Sequence, residues 1–346
     1  EVGYKMLLKK GIPAHLARDW APIGCVEAQL AGRHYQWSSA GHYNLGSVVE
    51  FALTNGVHLK SGKKLGAETG DAAAFTTYAQ FEEAVYTQLR FLLHQFSVSQ
   101  NLLEELHYQY LPNPVASMLM SGCIEKGRDL THGGAEFNTG PGMNGNGVAD
   151  FADSLIAVKK LVYDEKRLPM HTLLEALATD FQGYEAVERM LAEDAPKWGN
   201  DDDDADAFAG ELTAFLSETF GKTRGLLGNP RMMTVIPITS NIPQGASVSA
   251  LPSGRRAGLA DGISACQGRD RKGPTALLKS MSKFPHVDYD GGLLLNVRFT
   301  PASVAGEEGR FRLVSFLRTF LDLGLFHIQF NIVGQEVLRC AQERPD

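Results

Sequence analysis

In Gly24-Cys25-Val26-Glu27 a single thiol stands two residues from a carboxylate. Residues two apart in an extended segment point to the same side, which would turn Cys25 and Glu27 toward one small cavity. A sulfur capable of one-electron or nucleophilic chemistry would then sit beside a group able to accept and return a proton. By residue type alone, a packed cysteine near an unrelated charge is the commoner case. The same words recur at Gly122-Cys123-Ile124-Glu125, and spacing does not decide which copy is reactive.

Other stretches suggest different chemistry. Gly140-Pro141-Gly142-Met143-Asn144-Gly145 matches the Gly-x-Gly-x-x-Gly dinucleotide pattern, with Asp164 and Glu165 about 20 residues on, so a nicotinamide-dependent oxidoreductase is a second alternative. A true fingerprint follows a buried strand, and residues 133–138 make a poor one. A Gly-rich turn between strand and helix, allowing close backbone approach to a substrate, is the better reading. A thiol hydrolase would pair Cys25 with His34 or His42 but leaves Glu27 without a role. The run Asp201-Asp202-Asp203-Asp204-Ala205-Asp206 lacks the alternation and glycine of a Ca²⁺ loop and fits the acidic start of a helix. No metal site is expected.

The totals narrow the classes. A chain of 346 residues, 44% apolar and 21% charged, has the composition of a globular protein with a large core, and the whole span reads as one domain. A net charge of −7 without a basic stripe argues against nucleic acid. Cys25, Cys123, Cys266 and Cys340 are scattered with no Cys-x-x-Cys pair, which fits a reducing compartment. No apolar run approaches the roughly 20 residues that cross a bilayer. The expectation is a cytoplasmic protein that does not contact membranes.

These residues need elements to hold them. Apolar spacing predicts helices over residues 2–10, 45–54, 148–163 and 310–323, and one or two long ones over 78–107. Further stripes at Leu173, Leu174, Leu177 and Phe181, and at Phe208, Leu212, Phe215, Leu216 and Phe220, mark two more helices. Residues 60–64 read as a solvated turn. Strands are predicted over 115–120, 233–238, 293–299 and 326–332, with turns at 243–245 and 252–256. Strands separated by helices indicate an α/β fold with a largely buried sheet.

The words around Cys25 resemble those of a known superfamily. Gly24-Cys25-Val26-Glu27, Gly32-Arg33-His34-Tyr35-Gln36-Trp37-Ser38-Ser39-Ala40-Gly41 and Asn55-Gly56-Val57 are similar to the cysteine loop of glycyl radical enzymes, the superfamily of pyruvate formate-lyase and glycerol dehydratase. Gly-Arg-x-Tyr-Gln-Trp looks most like the choline trimethylamine-lyase and isethionate sulfo-lyase branch. The likeness continues through Gly122-Cys123-Ile124-Glu125-Lys126-Gly127-Arg128-Asp129, Trp198-Gly199-Asn200-Asp201-Asp202-Asp203, Leu251-Pro252-Ser253-Gly254-Arg255-Arg256-Ala257-Gly258 and Gly273-Pro274-Thr275-Ala276.

The resemblance implies part of a ten-stranded α/β barrel, helices outside and cysteine loop at the centre. It assigns the chemistry to Cys25, leaves Cys123 structural, and makes Glu27 the acid/base in cleavage of a C–N, C–S or C–O bond of a small polar substrate. The pair of adjacent cysteines used by pyruvate formate-lyase is replaced here by Gly24-Cys25, which disfavours acyl transfer; a C–C lyase of the aryl-acetate decarboxylase or formate acetyltransferase type is the first alternative. Ala28 stands where that branch commonly has proline. Ser39, where diol dehydratases place an aspartate, His42 and His58 are candidate substrate contacts. The family's motif Arg-Val-x-Gly-Tyr-Ser does not occur in the sequence, so the chain is expected to be the latter part of a longer protein without its glycyl radical loop and to be inactive alone. No cofactor is expected to be bound in the chain itself. The radical would be installed by an activating enzyme using S-adenosylmethionine and an iron–sulfur cluster, in a homodimer, in the cytoplasm or a bacterial microcompartment.

Overall fold

The computed structural model describes residues 1–38, 40–236, 239–259 and 269–344. Its organising element is a parallel sheet. Strand β1 (Ala21–Ile23) and β2 (Glu27–Gln29) form an antiparallel hairpin, and β3 (His34–Gln36) precedes β4 (Gly41–Asn44). Strands β5 (Val57–His58) and β6 (Lys63–Lys64) make a small exposed hairpin, while β7 (Phe137–Thr139) pairs in parallel with β3. Then β8 (Gly142–Asn146) lies between β4 and β9 (Met232–Thr234), all parallel. A parallel bridge from Val235 to Leu293 carries the sheet on to β10 (Leu294–Phe299), which pairs with β11 (His327–Ile332).

The spatial order β4-β8-β9-β10-β11 is therefore also the chain order. Parallel strands joined by right-handed crossovers in that sequence place every connecting helix on the same face. Burial agrees: Tyr43, Met143, Met233, Val235, Leu293, Leu295 and Val297 belong to one large core, together with side chains of the helices Leu45–Leu53, Tyr78–Tyr110, Val148–Ala157, Asp203–Gly221, Pro274–Ser282 and Gly306–Asp322. With a strand period of two, the alternate residues point to the other face. They are His42 and Asn44, Asn144 and Asn146, Thr234 and Ile236, Leu294, Asn296 and Arg298, and His327, Gln329 and Asn331, in matching register. One face is hydrocarbon and covered by helices. The other is mostly amide and imidazole.

Local chemistry sets the helix starts. The Asn44 side chain accepts from the Ser47 N–H, so β4 ends in the cap of the next helix. Thr77 and Gln80 form a capping box for the 33-residue helix. Asp202 accepts from the Ala205 N–H, and Lys283 pairs with Asp203 and Asp206, each at 2.8 Å. The acidic run is therefore the start of a helix with its own counter-cation.

Three sequence expectations are corrected. Residues 115–120 are not a strand: Asn113 caps the helix Pro114–Met118, with Pro114 in its first turn. Residues 243–245 lie inside the helix Asn241–Ser247 rather than in a turn. The Gly140–Gly145 stretch is not a turn either. Gly142–Asn146 is a buried central strand, and the following helix begins only at Val148. The glycines are there for packing, since a Cβ on Gly145 would meet the Tyr43 ring at 2.7–3.0 Å. A nicotinamide site would need these glycines in a turn that opens a helix toward a pyrophosphate, so that alternative loses its basis.

Tyr43 is itself wedged near Phe96 and Phe220, with ring centroids 5.2 and 5.8 Å away. Gly145→Ala is accordingly expected to cost about 1–3 kcal/mol of stability by displacing that ring. Urea unfolding of the two proteins measures it.

Candidate active site

The hairpin tip is built around one carboxylate. Gly24 has φ +54°, a left-handed conformation that glycine adopts without steric cost. It turns the chain so that residues 24–26 connect β1 to β2. Oε2 of Glu27 accepts hydrogen bonds from the backbone N–H groups of Cys25 (3.0 Å) and Val26 (2.9 Å). Glu27 is 4% exposed, whereas Cys25 is an exposed free thiol. Sequence alone suggested two side chains on one side of an extended strand. They are instead joined through a tight turn, because the carboxylate folds back onto the amides beside it.

The tip is fixed to the polar face of the sheet. Val26 packs with Ile236 and Leu294, at the β9–β10 junction. The Ala28 N–H donates to the carbonyl of Asp290 (3.3 Å), and the Gln36 side chain donates to the Ala28 carbonyl (2.8 Å). Asp290 is fully buried, and burial pushes its pKa up, opposed by Lys10 at 3.3 Å and by the Met233 N–H at 3.2 Å. The first helix, the hairpin and β9 thus meet at one buried residue, Asp290: Lys10 and the Met233 N–H at its carboxylate, Ala28 at its backbone carbonyl.

Beside the tip runs a network that sequence reasoning largely missed. Asn144 Nδ2 donates to His42 Nδ1 (2.6 Å), and Asn144 Oδ1 accepts from the Ile236 N–H (3.2 Å). Because His42 Nδ1 accepts, its proton resides on Nε2; burial lowers its pKa. Asn146 donates to Ser240 Oγ (3.1 Å) and Gln244 Oε1 (2.7 Å), and Asn44 donates to the Gln244 carbonyl (3.0 Å). His327 was also missed. It is paired with Leu294 in the sheet, so it flanks the residue on which Val26 sits. Burial holds its pKa at about 4, with the Glu27 charge acting in the opposite direction. The signal was present in the polar alternation Asn144, Asn146 and His327, Gln329, Asn331.

The remaining sequence candidates separate. His42 joins the site. His58 does not: its Nδ1 meets Ser61 Oγ and its Nε2 meets the Ser247 carbonyl, both at 2.8 Å, so the ring is a strut of the small hairpin. Ser39 and Cys266 lie outside the described residues. His34 is buried against Thr139 Oγ1 (2.9 Å) and is no partner for the thiol. In the second copy, Cys123 is buried in a short helix, and Glu125 accepts from the Gly122 N–H (3.0 Å) as a helix cap. Identical words thus give an exposed thiol in one place and a packed one in the other. Among the described residues no group of three His, Cys, Asp or Glu is placed to hold a metal, and no helix is long and apolar enough to cross a membrane.

Known proteins share both the sequence and the fold. A family model described as pyruvate formate lyase-like matches residues 1–245, and one described as glycine radical matches residues 259–346. The region named for the radical glycine therefore reaches further into this chain than the missing motif had suggested. Trans-4-hydroxy-L-proline dehydratase of Clostridioides difficile is 36% identical, covering 98% of this chain and 43% of that protein. Isethionate sulfite-lyase of Nitratidesulfovibrio vulgaris is 38% identical over 99% of this chain and 42% of its own length. The glycerol-bound B12-independent glycerol dehydratase from Clostridium butyricum superposes with a TM-score of 0.94 at 34% identity, covering 99% of this chain and 44% of that one. The chain spans less than half the length of these relatives. Such agreement over nearly every residue supports the expected barrel architecture.

His34 and His327 generate a pH prediction. Burial holds both at about 4, below the ordinary 6.5, and for His34 the Lys10 charge adds to it. Both are neutral when folded, so the unfolded chain binds more protons between those values. Full stability is expected above about pH 6.5, declining as pH falls toward 4. Chemical denaturation of His34→Gln at pH 7 and pH 5 should show a smaller drop than the unmodified protein.

Proposed function

Because the chain belongs to the pyruvate formate lyase-like family of glycyl radical enzymes, we propose that it is the cysteine-loop part of a lyase or dehydratase that cleaves a C–O, C–S or C–N bond of a small polar substrate. The observation that carries this reading is a free, exposed thiol on the hairpin tip, with a buried carboxylate two residues away, over a polar sheet face. When present, the glycyl radical supplies the means of removing one hydrogen atom from a thiol. Cys25 suits that exchange, since its sulfur is exposed at the tip rather than buried or paired.

Having given up its own hydrogen atom, the Cys25 sulfur would take one from a substrate carbon bearing a hydroxyl group, breaking C–H and re-forming S–H. Glu27 accepts the hydroxyl proton, and the neighbouring C–X bond breaks, X leaving with the electron pair. The rearranged carbon radical recovers a hydrogen atom from Cys25, which regenerates the sulfur radical and gives a carbonyl product. Glu27 afterwards gives its proton to the departed X or to solvent water, which restores the carboxylate. His42 and the carboxamides of Asn144 and Asn146 offer the neutral hydrogen-bonding surface against which a polar substrate would be oriented. Ser39 stays a candidate contact.

An activating enzyme that uses S-adenosylmethionine and an iron–sulfur cluster is the proposed source of the radical, and the proposed assembly is a cytoplasmic homodimer. The test uses the full-length parent, activated anaerobically. Cys25→Ser is expected to retain the glycyl signal in electron spin resonance while turnover falls to background. Glu27→Gln should keep that signal and lose roughly 10²- to 10⁴-fold in kcat/KM, the usual contribution of a positioned acid/base group. Turnover by Cys25→Ser would overturn the assignment.

A further inference from the structure

We infer that Glu27 also acts as a positioning residue, its carboxylate holding the turn that presents Cys25, so that proton transfer and sulfur placement depend on one side chain. The bond-forming role rests on the lyase reading; the turn-holding role rests on geometry alone. Two successive backbone N–H groups in a turn make a small concavity that favours an anion. Here those of Cys25 and Val26 converge on a single oxygen, Glu27 Oε2, at 3.0 and 2.9 Å. Bonds from N–H to a carboxylate are charge-assisted and about twice as strong as neutral ones. With Glu27 only 4% exposed, bulk water is poorly placed to replace it.

The flanks fit the same purpose. A Cβ on Gly24 would lie 2.8 Å from Glu27 Oε2, so the absent side chain leaves the carboxylate its seat. Val26, whose N–H is one of the two donors, is also the residue anchored on Ile236 and Leu294. Glu27 therefore ties the exposed Cys25 to the anchored Val26. The Glu27 charge acts on His327 of β11, which burial keeps neutral. A proton added to Glu27 weakens both bonds, since a neutral carboxyl is the poorer acceptor. Sulfur is thus held most firmly while Glu27 is charged, the state that precedes proton uptake from substrate, and is loosened once the proton has arrived.

The test is amide hydrogen exchange, read by mass spectrometry on peptides spanning the tip of the unactivated full-length protein. Loss of charge-assisted bonds should speed exchange of the Cys25 and Val26 amides by about 10- to 100-fold in Glu27→Ala. Exchange in β8 and β10 should stay unchanged. Glu27→Gln, which keeps an acceptor oxygen without the charge, should fall between the two proteins and shows partial rescue. Exchange in Glu27→Ala within about twofold of the unmodified protein would overturn the inference. If Glu27→Ala does not fold, unchanged tip exchange in Glu27→Gln would do so. In the activated enzyme, Glu27→Gln should still form a substrate-derived radical signal and Glu27→Ala should not. Turnover by Cys25→Ser would sink the lyase reading and leave the exchange result standing, so the two failures are distinguishable.

Discussion

The structure depends on a topological constraint: five parallel strands follow one another in the sheet in the order in which they occur in the chain. A sheet wound outward in both directions from its centre buries both faces beneath helices. Winding in one direction sends every helix to one side. The apolar core then belongs to one face, and the other is free to carry groups that a two-sided core would reject. Asn144 and Asn146 can occupy a central strand only because their side chains point away from the helices, where Ser240 and Gln244 meet Asn146 and the Ile236 N–H meets Asn144. Buried amides of this kind are tolerated when their partners are fixed.

The cysteine hairpin exploits that face. Its strands are only three residues each, too short to be stable alone, so its rigidity is borrowed. Val26 packs onto two strands, Gln36 and the Asp290 carbonyl bind Ala28 on either side of the peptide, and Glu27 closes the turn from within. The thiol itself makes little contribution to this anchoring. A thiol supported by its neighbours can stay exposed without being loose.

Much of this was legible in the sequence where chemistry and periodicity agree. The Cys25–Glu27 pair stands out by type, and the stripes on the helices Leu45–Leu53, Tyr78–Tyr110 and Asp203–Gly221 read directly because hydrocarbon recurs at helical spacing. The inner strands did not read. Gly-Met-Asn-Gly-Asn has the composition of a loop, since glycine and asparagine are poor strand formers. It is nevertheless the middle of the sheet, because Tyr43 needs the space over Gly145 and the polar face needs the carboxamides. His327 was hidden likewise, its role visible only once β11 is seen beside Leu294. The second Gly-Cys-Ile-Glu shows the converse: four such residues do not specify a backbone, and a longer-range context made one a hairpin tip and the other a helix start.

Lys10 gives that context a practical reach. It ends the first helix, far from the sulfur in any local sense, yet its ammonium pairs with Asp290, whose carbonyl receives the Ala28 N–H next to Glu27. A buried carboxylate stripped of its cation must relocate or take up a proton. A lesion in the opening helix would thus be felt, through Asp290, at the backbone beside Glu27, with most of the fold left in place.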